Sequence, residues 1–582
     1  MKRYTADFET CTWLENETYV WAWAICDIDN PDICYLGTEI KDFIEFCKKS
    51  HNSTFLFHNL KFDGEFIIYY LLQNDFKWVK SKQEVSSNTF TTLINDMGVF
   101  YAIEIYWYKN DHKVIKATIY DSLKIIPFSV DETAKYFNLP IHKLKIDYNA
   151  YRERGHILTS EEEAYIINDV SIMAQALKVI YSEGLIKMTR AGNAMHDFKS
   201  ILGSKDKFEH YFTKLDYKVD KEIRKCYKGG FTYLNPIYEN KEVENVNVLD
   251  VNSLYPSVMS CVRGELMPYG EPLYFEGKYK NDLIYPLYIQ CISCSFKIKK
   301  DMIPTVQIKN KKFFFTPNEY LESSGGEEVI LTMTNIDLEI FLNHYDTFDL
   351  KYIDGWKFKG CNFLFKEYID KWTKKKIEAG KAGNKGQRQL AKLMLNSLYG
   401  KFATSLEMKS KHPEIDEEGI VKYVMNDLEI TDGLYLPVGS FITSYARKVT
   451  IETSQAIKSY SLKKYGKDMY IYSDTDSIHT MLPIEELKQF CDIDDFELGK
   501  WAHEAFATKA KFIRQKCYVE VIDGEIKITC AGMPKKCVYY HYDKDGKKIN
   551  NTLYYKDSYG KEHEFFISDF EAGFTCSRKV NF

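Results

Sequence analysis

The chain has 582 residues, a formal net charge of −5, and 45% apolar against 28% charged residues. That balance excludes a disordered chain, and the length allows about four domains at roughly 150 residues each. The slight acidity also excludes a uniformly basic nucleic-acid coat, so any polyanion contact must come from local patches.

No run reaches the roughly 18–20 apolar residues of a membrane helix, and the opening MKRYTADFET has no secretory pattern. The 14 cysteines form no repeating framework. These features predict a soluble intracellular protein with reduced thiols and no membrane partner. Aromatic residues make up 15%, including 44 Tyr. Such rings build cores, and they also stack on bases.

Up to about residue 190, strand-like runs (YTADFET, STFLFHN, TTLIND, KATIYDS) precede or alternate with helical patterns such as EEEAYIINDVSIMAQALKVIYSEG. That alternation predicts an α/β domain. After a break near GLIKMTRAGN, a second region opens at CYKGGFTYLNP, and VNVLDVNSLYP reads as a strand ending in a turn. Short strands and turn signals fill about 261–357. There, Cys291 and Cys294 stand three apart on a predicted strand, so they point to opposite faces and cannot share a zinc ion. KEYIDKWTKKKIEAGKAGNKGQRQLAKLMLNSLYGKF reads as a helical pair. A polar stretch with two strands, about 404–436, precedes the helix TSYARKVTIETSQAIKSYSL, the strand–turn–strand MYIYSDTDSIHTML and a last small region of strands and loops.

Three constellations carry chemistry. In YSDTDS, Asp474 and Asp476 lie two apart and are expected on one strand face at a hairpin tip. Carboxylates held that close repel unless a cation lies between them; a surface turn is the alternative. Asp250 ends the strand VNVL, with Pro256 in the first turn of a predicted helix. Backbone N–H groups between Asp250 and Tyr255 are expected to face outward as a phosphate cradle. An Asp from one strand and an Asp pair from a hairpin can together hold two divalent ions. Third, Arg388, Lys392, Asn396 and Tyr399 fall on one helical stripe. Residues 366–392 hold nine Lys/Arg against three acids, a concentration that favours a polyanion over an ordinary solvated face.

DVNSLYP, KLMLNSLYG and YSDTDS, in this order, resemble motifs A, B and C of family B DNA polymerases. Upstream, DFET (Asp7, Glu9), HNLKFDG (Asp63) and Tyr165-x-x-x-Asp169 resemble the three motifs of a DnaQ-like 3′→5′ proofreading exonuclease. Tyr227-Lys-Gly229-Gly230-Phe231 resembles the YxGG motif, and Lys516-Cys-Tyr518 the KxY motif. Thr443-Ser-Tyr-Ala-Arg447 resembles the TxxGR-like primer motif, with Ala where the family has Gly. The spacing between the motifs leaves room for two insertions, TPR1 and TPR2. FHNLKFDG, IYDSLK, NEYLESSGGE, AKLMLNSLYGKF and FIRQKCY extend the likeness over essentially the whole chain. The chain is similar to protein-primed family B DNA polymerases of the phi-twenty-nine-type phages.

The resemblance implies an α/β and α+β multidomain fold: an RNase H-like exonuclease domain (1–188) ahead of a right-hand polymerase. It places the palm at 189–260 and 437–530, TPR1 at 261–357, the fingers at 358–403, TPR2 at 404–436 and the thumb at 531–582. Asp250, Asp476 and the Val251 carbonyl would hold the polymerase metals, Mg²⁺ or Mn²⁺, with Asp474 alongside. Tyr255 matches the steric gate against ribonucleotides. Lys376, Arg388 and Lys392 would bind the dNTP triphosphate, while Asn396, Tyr399 and Gly400 would line the nascent base pair.

In the exonuclease, Asp7, Glu9, Asp63 and Asp169 match the metal ligands, Tyr165 the residue orienting water, and Lys143 the lysine near the scissile phosphate. Lys145 stands where the family has an acid. Thr10, His58, Asn59, Phe62, Phe66, Ser122, Leu123 and Tyr148 match ligands of single-stranded DNA, and Tyr227, Gly229, Gly230, Thr443, Arg447, Lys516 and Tyr518 contacts to primer-template DNA. Also implied are strand displacement, a terminal protein as primer and partner, a monomer or a heterodimer with that protein, and the cytoplasm of an infected bacterial host. The alternative is a DNA-binding 3′→5′ repair exonuclease with a non-replicative polymerase half.

Overall fold

The computed structural model describes residues 2–11, 18–109, 113–148, 150–307, 319–531, 533, 537–543 and 547–577. Residues 308–318 of the expected first insertion and 578–582 of the expected thumb lie outside the described residues. The chain divides into two compact units, Met1–Ser204 with Asp370–Gly433, and Lys205–Ile369 with Leu434–Asn581.

The first unit is built on a 10-stranded sheet. At its centre, strands Arg3–Thr10, Thr54–Phe57 and Val114–Asp121 run parallel. Strand Val20–Asp27 (VWAWAICD) is buried at every position, as expected of a strand covered on both faces. Helix Ser160–Ser182 packs over it and over Arg3–Thr10; the Thr5 hydroxyl donates to the Val170 carbonyl at 2.8 Å. Its start is set by a capping box, Thr159 with Glu162.

Residues 404–433 join this sheet. Strand Ser410–Ile415 pairs with Thr89–Asn95 through Ser410–Asn95 and Lys411–Ile94, and with Val421–Met425 on its other side. Tyr423 rests on Phe100 with ring centroids 5.6 Å apart and donates a hydrogen bond to the Glu65 carboxylate. The two expected strands exist, accompanied by the short pair Glu407–Met408 and Glu429–Ile430.

The helical pair is also present, Lys366–Lys381 and Lys385–Phe402. Asn384 caps the second helix by accepting from the Gln387 N–H. That helix buries Leu390, Ala391, Met394, Leu395, Leu398 and Phe402 and packs on helix Arg190–Leu202, leaving Arg388, Lys392 and Asn396 exposed.

The second unit centres on a seven-stranded sheet, in the order Glu525–Cys530, Cys517–Ile522, Trp501–Arg514, Glu242–Val251, Ser477–Thr480, Tyr470–Asp474 and Thr232–Leu234. Helix Leu436–Tyr465 packs against strand Tyr470–Asp474. A four-stranded sheet (Met267–Glu276, Tyr345–Cys361, Leu287–Ile298, Val329–Thr334) carries helix Asn335–His344 between its strands Val329–Thr334 and Tyr345–Cys361. Cys291 and Cys294 share strand Leu287–Ile298, one half-buried and the other in the core. All 14 cysteines are free thiols.

Candidate functional site

The first unit gathers four carboxylates. Asp7 and Glu9 come from strand Arg3–Thr10, and Asp63 from the first turn of helix Leu60–Gln73. Tyr165 and Asp169 lie one turn apart on helix Ser160–Ser182. The Phe8 N–H donates to Asp63 Oδ1 at 3.2 Å, tying helix to strand. Lys143 Nζ bonds Asp169 Oδ2 at 2.6 Å and sits 5.7 Å from the Tyr165 ring. Tyr165 and Tyr148 share a 2.5 Å hydroxyl contact.

Burial, and then the Asp169 charge, push Asp7 up to about 7. Burial with Asp7 and Asp169 pushes Glu9 up to about 8. Burial and Asp7 raise Asp63 well above the usual carboxylate range, and burial raises Asp169 despite Lys143. Such mutual repulsion is what a divalent cation relieves, and hard oxygen donors are its natural ligands. Asp169 Oδ1 is buried without a hydrogen-bond partner, an orphaned acceptor that fits this chemistry. Among the described residues no three His, Cys, Asp or Glu groups already stand at ligand spacing. Lys143 holds the other Asp169 oxygen.

The expected primer-end ligands fall around this centre. Asn59 takes a left-handed conformation (φ 76°), and its N–H donates to Asp121 Oδ1 at 3.1 Å. The same oxygen accepts from the Leu123 N–H at 2.9 Å. Asp121, buried and ion-paired with Lys124, thus fixes the Asn59 and Leu123 backbones. Sequence reasoning missed it, although the side chain of an Asp ahead of Ser-Leu is a common acceptor for nearby N–H groups. His58 reaches the Ser122 hydroxyl at 3.0 Å and the Phe128 carbonyl at 2.6 Å; burial lowers its pKa. Thr10 follows a bulge at the strand end. Phe62 and Phe66 meet edge-on at 5.8 Å, and Tyr148 is exposed, as is Lys145.

The second unit joins Asp250 to the Asp474–Asp476 turn. Asp250 lies in strand Glu242–Val251 opposite Ser477, and Asp474 is also opposite Ser477. The Val251 N–H donates to the Asp476 carbonyl at 2.8 Å. Asp474 closes strand Tyr470–Asp474, but Asp476 lies in the two-residue turn rather than on the strand face the two-residue period predicted. Thr475, at φ 62°, breaks the alternation.

Asp474 is heavily engaged. Lys516 Nζ lies 2.8 and 3.0 Å from its oxygens, Thr232 Oγ1 donates at 3.1 Å and the Tyr472 hydroxyl at 3.3 Å. Asp476 is raised by burial, opposed by its own N–H, and further raised by Asp474. The expected amide cradle is narrower than predicted, because the Val251 N–H is spent on Asp476 and the Asn252 N–H on the Lys500 carbonyl at 2.9 Å. Tyr255 stands half-buried on the short helix Leu254–Met259.

Behind this turn, Arg447 is buried. Its guanidinium donates to the Lys228 and Gly229 carbonyls at 2.8 and 2.7 Å and to Asp337 at 3.0 and 2.6 Å. Asp337, on helix Asn335–His344, carried no signal in the sequence. Thr443 is buried and donates to Gly439 and Ser440 carbonyls of its own helix. Thr443 and Arg447 therefore hold backbone here. Tyr227 is half-buried and Gly229 exposed. Tyr518 packs on Phe512 and Tyr472 with centroids 5.3 Å away in each case.

In the first unit, residues 370–392 of the basic segment resolve into two sets. Lys371 pairs with Asp197 at 2.6 Å and Lys375 with Glu183 at 2.5 Å. Lys376 is lowered by burial and by the charges of Lys392 and Arg388. Three mutually repelling cations suit a phosphate-bearing ligand. Asn396 and Gly400 are exposed further along the stripe, and Tyr399 is half-buried.

The model of DNA polymerase type B, organellar and viral, matches residues 44–164 and 151–490. The DNA polymerase of Bacillus phage M2 is 44% identical over 554 residues, covering 91% of this chain and 92% of that protein. That of Bacillus phage phi29 is 42% identical over 557 residues, covering 92% of each. That of Streptococcus phage Cp-1 is 34% identical over 552 residues, covering 91% and 90%. Among solved structures, phi29 DNA polymerase with primer-template DNA and incoming nucleotide superposes with a TM-score of 0.83 at 39% identity, over 97% of this chain and 99% of that one. Its complex with single-stranded DNA gives 0.82 at 40% identity, over 92% and 93%. The chain therefore belongs to the type B DNA polymerases of the organellar and viral branch, among the phi29-type phage enzymes, and is a DNA-directed DNA polymerase.

Proposed function

We propose that this polymerase is the replicative enzyme of a protein-primed phage genome, and that it proofreads with its N-terminal centre. The observation that carries the polymerase reading is the 2.8 Å bond from the Val251 N–H to the Asp476 carbonyl, which brings the Asp250 strand end against the acidic turn. Divalent cations, Mg²⁺ or Mn²⁺, bound by Asp250, Asp476 and the Val251 carbonyl would acidify the primer 3′-hydroxyl and neutralise the departing pyrophosphate. Asp474, already paired with Lys516, keeps that lysine beside the primer terminus rather than binding metal itself. Lys376, Arg388 and Lys392 bind the triphosphate, Asn396 and Tyr399 the nascent base pair, and Tyr255 excludes the ribose 2′-hydroxyl. Tyr227, Gly229, Gly230, Thr443, Arg447, Lys516 and Tyr518 hold the primer-template, with Arg447 fixing the Lys228 and Gly229 carbonyls of that segment.

In the N-terminal centre, Asp7, Glu9, Asp63 and Asp169 are the metal ligands, Tyr165 orients the water and Lys143 meets the scissile phosphate. His58, Asn59, Phe62, Phe66, Ser122, Leu123, Thr10 and Tyr148 hold the frayed 3′ end.

The phi29 enzyme has been solved with primer-template DNA, single-stranded DNA and incoming nucleotides; we assign the same ligands to this chain. We further assign it strand displacement, a terminal-protein primer, action as a monomer or a heterodimer with that protein, and the cytoplasm of an infected bacterium. Primer extension on a singly primed circle without helicase tests the reading. Products longer than the circle support strand displacement, and products stopping at one circumference refute it.

A further inference from the structure

Helix Leu60–Gln73 carries an aromatic row that outruns the expected primer-end ligands. Phe62, Phe66, Tyr69 and Tyr70 fall at i, i+4, i+7 and i+8, on one stripe. A stripe of this spacing ordinarily faces a core, yet Phe62 and Tyr69 are 47% and 48% exposed. Phe66 and Tyr70 lean on the core and are half-buried. At about 1.5 Å rise per residue the row is about 12 Å long, room for roughly three bases at the ~3.4 Å spacing of a stacked strand.

Two cavities follow the row. The near one is lined by Asn59, Phe62 and Phe66. The far one, about 350 Å³, is lined by Phe66, Tyr69, Tyr70 and Tyr19 together with Lys41 and Arg154. Phe66 borders both, so the two cavities are neighbours along the row. Two cations face one acid there, Glu39, and the Arg154 guanidinium lies 4.7 Å from the centre of the Tyr19 ring. Aromatic faces combined with cations are the combination that holds single-stranded nucleic acid without reading its sequence. Neither cavity includes Asp7, Lys143 or Asp169, which line a separate one.

We propose that the far cavity is a second single-strand subsite, binding by stacking the bases that lie a few nucleotides behind a 3′ end held at Asn59 and Phe62. The proposal rests on reading the N-terminal centre as a 3′→5′ exonuclease. Paired bases cannot offer their faces to Tyr69 and Tyr70. The subsite therefore rewards ends frayed by several nucleotides over ends with only the last base unpaired.

The full-length protein is tested in two ways. Digestion of dT3 and dT8 in Mg²⁺ gives the ratio of kcat/KM for the long over the short substrate. Wild type should favour dT8, and Tyr69→Ala should cut that preference about tenfold, the worth of roughly one stacked base. Tyr69→Phe should keep it, because the ring does the stacking. Equal preference in wild type and Tyr69→Ala overturns the proposal. In EDTA, an oligonucleotide with 5-iododeoxyuridine fourth from its 3′ end should photocrosslink to the 60–73 helix. A crosslink map without that helix also overturns the subsite. If crosslinking succeeds but wild type digests neither substrate, the exonuclease reading fails and the subsite stands.

Discussion

Gly230 lies so close to Thr475 that a β-carbon on it would sit 2.6 Å from the threonine side chain. The Thr475 N–H also donates to the Phe231 carbonyl at 2.7 Å, and its carbonyl accepts from the Thr450 hydroxyl at 2.7 Å. The turn that carries Asp476 is thus gripped from the glycine segment and from helix Leu436–Tyr465. Gly230→Ala must push Thr475 away and the neighbouring carboxylates with it. Misplacing reacting groups by about 1 Å costs on the order of a hundredfold. Single-nucleotide incorporation should fall by about that factor while digestion of single strands is kept, which gel assays of both reactions check.

Arg447 and Asp337 form a buried pair, with side-chain exposures of 6% and 13%. Removing one partner strands the other charge, which costs about 3–5 kcal/mol, whereas replacing both by apolar residues is often far milder. Arg447→Ala and Asp337→Ala should each lower stability by about that amount in urea unfolding. Arg447→Met with Asp337→Leu should be less destabilised than either single variant.

Glu162 supplies a pH prediction. Its burial would raise its pKa, but the Thr159 N–H, Arg152 and His156 outweigh that and hold it at about 2. Arg152 Nε lies 2.5 Å and His156 Nε2 2.7 Å from its oxygens. A carboxylate with a folded pKa below its unfolded value of about 4.3 stabilises above that unfolded value. The contribution is lost as pH falls from about 4.3 through 2. The unfolding free energy of wild type minus that of Glu162→Gln should be positive at pH 7 and shrink across that window. A pH-independent difference would show that the ionised carboxylate is not the stabilising form.

Lys392 belongs to the self-repelling set with Lys376 and Arg388. A charge-assisted phosphate contact is worth about 1.5–3 kcal/mol. Lys392→Ala should therefore raise the apparent KM for dNTP about tenfold to a hundredfold, with DNA affinity by gel shift changed much less. The reverse ordering would make Lys392 a template contact.

Local pattern made the helices and many strands legible: the run EEEAYIINDVSIMAQALKVIYSEG, the polar stripe Arg388–Lys392–Asn396, and the run ending at Asp250. The DFET strand places Asp7 and Glu9 two apart, and the Asp7 charge, after burial, helps raise Glu9. Period alone failed at Asp476, where the left-handed Thr475 turns the chain before the next strand position. It also gave no sign that Ser410–Ile415 would pair with Thr89–Asn95, since such registry is settled by shape at the sheet edge rather than by neighbours in sequence. Arg447 carried a motif, but its engagement by Asp337 needed the fold.

Under the proposed function, two separate carboxylate centres carry out two separate reactions. The direct measurement assays dNTP incorporation and 3′→5′ digestion in parallel for Asp250→Ala, Asp476→Ala and the double variant Asp7→Ala/Asp169→Ala. Either palm substitution should abolish incorporation and leave digestion, and the double variant should do the opposite. Incorporation surviving in Asp250→Ala or Asp476→Ala, or digestion surviving in the double variant, would contradict the account.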